Sequence, residues 1–206
     1  AVTAAKIADN AISEEHLDVT AVTGHTAETS IADGDTILIH DASASALRKM
    51  TKANFVSGVG GTNTPSFLAR NSTNRTLNDY ALTQATFDTE YYDTANGFAS
   101  NTYTVPSGQG GKYHIYLNIN VYDAGDSLIG LISYIYLNDT SVVEFVDDLG
   151  SQVTTRINNG GSIVLDLSAG DTLKGYVRAN TNDSSTVALV GAGEAQTYFG
   201  AYKLIE

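Results

Sequence analysis

The sequence predicts an all-β protein, with a C-terminal antiparallel jelly-roll sandwich on a short fibrous N-terminal stem with a small β unit. Three observations predict it. Runs rich in Tyr, Val, Ile and Thr, which suit a pleated and half-buried surface, dominate the second half of the chain. From Phe67 onward these runs recur at about 8 to 12 residue intervals between turn signals, the spacing of a sandwich or jelly roll. The first 30 residues, in contrast, are small and polar.

Taken in order, residues 1–30 form the expected stem. Ile7, Ile12 and Leu17 recur every five residues, which fits neither a helix nor a strand. Ser13 to His16 offers one helical turn with Ser13 as its N-cap. So little apolar surface is expected to order only by winding with copies of itself. Residues 31–57 form a small β-hairpin unit. Thr36 to His40 is a strand candidate, Ser43 to Ser45 a polar turn, and Leu47, Met50, Ala53 and Phe55 follow, with a helical turn near Thr51 to Asn54. A unit this short is expected to need partners. Residues 58–66 form a Gly-rich linker. Its glycines lack the Gly-Lys-Ser/Thr ending that a phosphate-binding loop requires.

Residues 67–206 form the head. In Lys112 to Tyr122, Tyr113, Ile115, Leu117, Ile119 and Val121 alternate with His114, Tyr116, Asn118, Asn120 and Tyr122, so one face belongs to a core. Leu128 to Leu137 is apolar on both faces. A second cover is then required, and a neighbouring subunit is the simplest, which predicts a homotrimer once the resemblance below is considered. Ser141 to Val146, Ser162 to Leu167, Thr172 to Arg178 and Thr197 to Ile205 supply further strands. Asn158 to Gly161 reads as a loop.

The chain carries 23 acidic and 11 basic side chains, a formal charge of −12, and no Cys. Phosphate binding needs clustered Lys and Arg, so no nucleic acid is expected as a partner. Arg48, Lys49 and Lys52 read as the solvated face of a small element. Without disulfides, stability is expected from burial and oligomerisation. No run of about 18 apolar residues is present, so membrane insertion is not expected. No charged-then-apolar leader opens the chain, and its start without Met is expected of a fragment of something longer.

Several pieces of the head, in order, resemble the trimeric globular heads of complement-component and tumour-necrosis-factor type. They are Phe67-Leu68-Ala69, Phe87 with Tyr91-Tyr92-Asp93, and Tyr103-x-Val105-Pro106 followed by Gly111-Lys112-Tyr113. Leu165-x-Leu167-x-x-Gly170-Asp171 and Phe199-Gly200-Ala201-Tyr202 complete the series. The absence of Trp and Cys, and Tyr in place of several Phe, point to a microbial or viral protein. Lys6 to Asp18 resembles the stem repeats of bacteriophage tail fibres, and Asp33 to Phe55 resembles a segment of phage structural proteins. The resemblance implies a receptor-binding head in the virion, on its tail fibre and extracellular when acting. Its implied partners are a host surface glycan or protein, and other virion proteins through the stem. A structural capsid-decorating or tail-assembly fibre and a secreted trimeric ligand are the alternatives.

Chemistry for catalysis is sparse. His16, His25, His40 and His114 stand singly, without partners at metal-ligand or catalytic spacing. No Gly-x-Ser-x-Gly elbow occurs. No enzymatic activity and no cofactor are expected. Calcium bound through Asp123, Asp126, Asp147 and Asp148 is the sharper alternative to solvated turn residues, although their spacing is not that of a calcium loop. Tyr116, Tyr134, Tyr136 and Tyr202 are the candidates for the trimer interface. Asp123, Asp126, Asp147, Asp148, Asn158 and Asn182 are the candidates for receptor-binding loops, whose acids and amides suit sugar hydroxyls.

Overall fold

A computed structural model describes residues 19–57, 63–191 and 196–204. The chain divides into two compact units, Ala1–Gly60 and Gly61–Glu206. Most of the expected stem, with its helical turn at Ser13 to His16, and most of the linker lie outside the described residues.

In the first unit one helical turn, α1 (Thr20–Thr23), precedes a hairpin of β1 (Thr36–Asp41) and β2 (Ala46–Thr51), followed by α2 (Lys52–Ser57). The hairpin turns because the Asp41 carboxylate accepts the Ser43 and Ala44 N–H groups at 3.0 and 3.1 Å and the Ser43 hydroxyl at 2.6 Å. Two of the basic residues are paired here, Arg48 with Asp41 and Lys52 with Asp33, both at 3.0 Å. Leu38 and Leu47 stay exposed, so this hairpin presents apolar surface.

The head is an antiparallel jelly-roll sandwich. One sheet runs β4 (Arg75–Leu77), β14 (Val187–Leu189), β9 (Gly111–Tyr122), β15 (Tyr198–Lys203), β3 (Ser66–Arg70), β6 (Thr89–Asp93), with β12 (Arg156–Leu167) on the other edge of β9. The second runs β11 (Thr140–Asp148), β10 (Leu128–Leu137), β13 (Thr172–Thr181), β8 (Thr102–Thr104), β7 (Phe98–Ala99), with β5 (Thr83–Gln84) also on β13. The alternation of β9 carries the core: Tyr113, Ile115, Leu117, Ile119 and Val121 are all buried, facing Leu131, Ile135, Leu173 and Val177 of the opposite sheet. At one end Phe67 stacks on Tyr103 and Phe98 at centroid distances of 4.4 and 5.0 Å, with Phe199 edge-on at 5.2 Å. Each such ring adds to area burial the extra attraction of offset or edge-to-face pairs, about 0.5–1.5 kcal/mol.

The expected loop at Asn158 to Gly161 is instead the middle of β12, paired residue by residue with β9 from Arg156↔Tyr122 to Leu167↔Gly111. Gly160 and Gly161 are there for close approach and not for a turn. A Cβ at Gly160 would collide with the Leu117 carbonyl, and one at Gly161 with the ring of Phe145. Gly161 thus lets β11 close over β12 at the open edge of the sandwich, and Gly160 lets β12 lie close against β9.

The strand directions give the head two distinct ends. The chain enters β3 at Ser66, beside the start of β9 and the end of β15. That end carries the turns at 105–110, 138–139 and 168–171. The connections 71–74, 123–127, 149–155 and 182–186 all gather at the other end.

Candidate functional site

Two surfaces of the head carry candidate residues: the end opposite Ser66, and the outward face of the β9 sheet.

At that far end the loops are tied to one another. The Asp123 carboxylate accepts the Gly125 N–H at 3.1 Å, and the Ser127 N–H and hydroxyl at 2.8 Å each. The bonds from Ser127, and then that from Gly125, hold the Asp123 carboxyl below the usual aspartate range. Ser127 Oγ lies 2.9 Å from Ser185 Oγ, and the Asn182 N–H donates to the Ser127 carbonyl at 2.9 Å. Leu128 pairs with Thr154, linking the third loop. The structure therefore brings Asp123, Asp126 and Asn182 together on joined loops.

The other loop candidates are placed differently. Asp147 and Asp148 belong to β11, whose ladder with β10 runs on to Gly130↔Asp148, and the Asp148 carboxylate caps the following turn through the Gly150 N–H at 2.9 Å. Asn158 belongs to β12, where its side-chain oxygen accepts from Asn118 at 2.8 Å. These three were expected in loops because Gly and Asn signal turns, but here strand pairing along β9 and β10 prevails. Among the described residues, no three His, Cys, Asp or Glu side chains converge as a metal site.

The outward face of the β9 sheet is aromatic. Register aligns Ser162, Tyr116, Gly200, Leu68 and Tyr92 in one row across β12, β9, β15, β3 and β6. The next row holds Val164, His114 and Tyr202. His114 lies 5.1 Å from Tyr202 and 5.9 Å from Tyr116, and Tyr116 lies 6.3 Å from Tyr198. Gly200 makes this possible, since a Cβ there would enter the Tyr116 ring. Burial raises the Tyr116 hydroxyl pKa above its ordinary value, with the Tyr92 hydroxyl adding to the shift. His114 Nδ1 is buried with no hydrogen-bond partner. Beside Tyr116 an almost wholly apolar hollow of about 210 Å³ is lined by Leu68, Tyr91, Tyr116 and Tyr198.

The four interface candidates are thus split between sheets. Tyr116 and Tyr202 share this face. Tyr134 and Tyr136 lie on the outward face of the β10 sheet, where Tyr136 packs 4.3 Å from Tyr176 and 6.2 Å from Tyr134. Tyr134 is only 6% exposed within the single chain. The second cover expected from another subunit is therefore largely intramolecular at β10. Sequence reasoning missed Tyr198, Leu68 and Tyr92 as members of the aromatic face. The parity of Tyr198, Gly200 and Tyr202 in the closing strand was the available signal.

No protein-family model matches the chain, and no curated protein matches it. Among solved structures the chain is similar to the globular domain of zebrafish complement 1qA protein, at 15% identity and a TM-score of 0.48 over 69% of this chain and 99% of that one. It is similar to murine APRIL at pH 5.0, at 14% identity and a TM-score of 0.49 over 68% of this chain and 98% of that one. The jelly-roll assignment rests on strand order and register.

Proposed function

We propose that the protein is the non-enzymatic, homotrimeric receptor-binding head of a bacteriophage tail fibre, attaching the virion to a host surface glycan or protein. The observation that carries the reading is the polarity of the head: the chain enters at one end, and four connections gather at the other, three of them bonded to one another. Loops held by a rigid sandwich are where binding concentrates. The aromatic face supports the trimer. Its central row, from Ser162 across to Tyr92, is uncharged in a chain of formal charge −12, which limits the repulsion between copies meeting there. The first unit, with its exposed Leu38 and Leu47, is read as the part that joins other virion proteins or its own copies.

The test is adsorption of fluorescent trimer to a panel of bacterial cells, with competition by purified surface polysaccharide. Saturable adsorption to some strains supports the reading. A stable trimer that adsorbs to none of them overturns it.

A further inference from the structure

We infer that a groove at the loop end of the head, floored by Ala188 and walled by Tyr122, Thr76 and Thr186, binds a neutral saccharide; the inference rests on the receptor-binding reading and gives it a site. Thr76, Ala188, Tyr122 and Arg156 stand in register on β4, β14, β9 and β12. Adjacent strands lie about 4.8 Å apart, so Thr76 and Tyr122 stand roughly 10 Å from each other across the smallest side chain of the row. The result is a groove of about 380 Å³. Small-ligand sites occupy roughly 300–1,000 Å³.

The Tyr122 ring is held in place. Arg156 lies over it, 5.4 Å from its centroid, and donates to Gln196 Oε1 at 3.1 Å and Asn120 Oδ1 at 3.4 Å. Arg156 comes from β12, whereas β14 and the groove flank the opposite edge of β9. Tyr122 is nevertheless 39% exposed. A fixed, half-open aromatic ring suits the C–H face of a pyranose, and it loses little entropy on contact. Around it the lining offers the Thr76 and Thr186 hydroxyls and the Asn74 amide, whose oxygen accepts the Gly191 N–H at 2.8 Å. These are neutral donors and acceptors of the kind that match sugar hydroxyls.

The charge at the site selects the ligand class. The lining contains no Lys or Arg. Its one ionisable acid, Asp123, accepts three hydrogen bonds from its own loop. A phosphorylated or uronic-acid ligand would meet that negative charge with no cation in the lining, since Arg156 is engaged by Gln196, Asn120 and the Tyr122 ring from the other edge of β9; a neutral hexose would meet no such repulsion.

The experiment uses the full-chain trimer on surfaces bearing neutral oligosaccharides ending in glucose, galactose, mannose or rhamnose. Uronic-acid and phosphate-bearing oligosaccharides serve as controls. Tyr122→Ala removes the ring and Ala188→Leu fills the floor, both at surface positions. The expected result is wild-type retention on at least one neutral surface, reduced at least tenfold by each substitution, with unchanged oligomeric mass and melting temperature. Retention only on anionic surfaces, on no surface, or unchanged in both variants overturns the inference. Adsorption to bacterial cells, measured in parallel, separates the two claims. Cells bound equally by wild type and both variants overturn the groove and leave the receptor reading standing; cells bound by none overturn the receptor reading itself.

Discussion

On the outward face of the β10 sheet, Tyr134, Tyr136 and Tyr176 pack on one another, and Arg178 reaches over Tyr80 at 4.6 Å while Lys174 pairs with Asp139 at 2.5 Å. Charged groups ring these aromatics and finish the surface for water. On the outward face of the β9 sheet, Tyr116, Tyr198 and Tyr202 gather around His114 and Gly200, and the central row carries no charge. The two faces place the same residue type in different surroundings. On one the tyrosines are closed in by their own chain, and on the other they are left around a hollow, where the proposed trimer would meet.

That contrast can be broken most directly at Tyr116. Tyr116→Glu is expected to dissociate the proposed trimer, because burying an unpaired charge in an interface costs several kcal/mol. Light scattering should then fall from three times the single-chain mass to 21.7 kDa. A variant that stays trimeric would show that the aromatic face is not the interface. On the other face, Tyr134→Ala should remove about 3 kcal/mol of stability, as expected for emptying a buried aromatic site, and leave the oligomeric mass unchanged. Chemical denaturation read alongside scattering checks both halves; loss of the trimer would erase the distinction between the faces.

A smaller effect is expected where the two sheets meet. Gly161→Ala sets a methyl against the Phe145 ring, an overpacking that costs about 1–3 kcal/mol. An unchanged melting curve would mean that β11 does not close over β12 in solution.

The smallest effect belongs to the loop end. Asp123→Asn should cost about 1–2 kcal/mol, since its charge-assisted bonds to Gly125 and Ser127 are weakened. The hydrogen bonds from Ser127 and Gly125 hold the folded Asp123 carboxyl below the ordinary aspartate value it has in the unfolded chain. Its stabilisation is therefore complete above that unfolded value and is lost as pH falls through the lower folded one. The gap in melting temperature between wild type and variant should be widest above about pH 5 and close in stronger acid. A gap that persists at all pH values would assign the effect to packing.

Much of the head was legible because alternation is a strong signal where one face meets a core. The inward set of β9 was read residue by residue, and the strand at Leu128 to Leu137 matched to its ends. The glycines of β12 misled, because Gly160 and Gly161 signal a turn unless the position of Phe145 and Leu117 is known. The cover over Tyr134 was equally illegible: Tyr176 and Arg178 reach it through β13, 42 and more residues later in the chain. Tyr122 was seen as an outward residue. Its neighbours Thr76 and Ala188 come from three-residue strands too short to show a period.

The course of β3 has a mechanical consequence. It enters at Ser66 from one end and is bonded along its length to β15 on one side and β6 on the other. In the proposed role, a tether on the N-terminal side and a receptor held at the opposite loops would pull along the strands. The load then falls in shear on whole ladders, including the long β9–β12 pairing, so many backbone bonds must fail together. Endurance under such tension is governed by the unfolding rate and not by equilibrium stability. A head pulled this way withstands the load longer than the same sheets would if peeled from an edge, one pair after another.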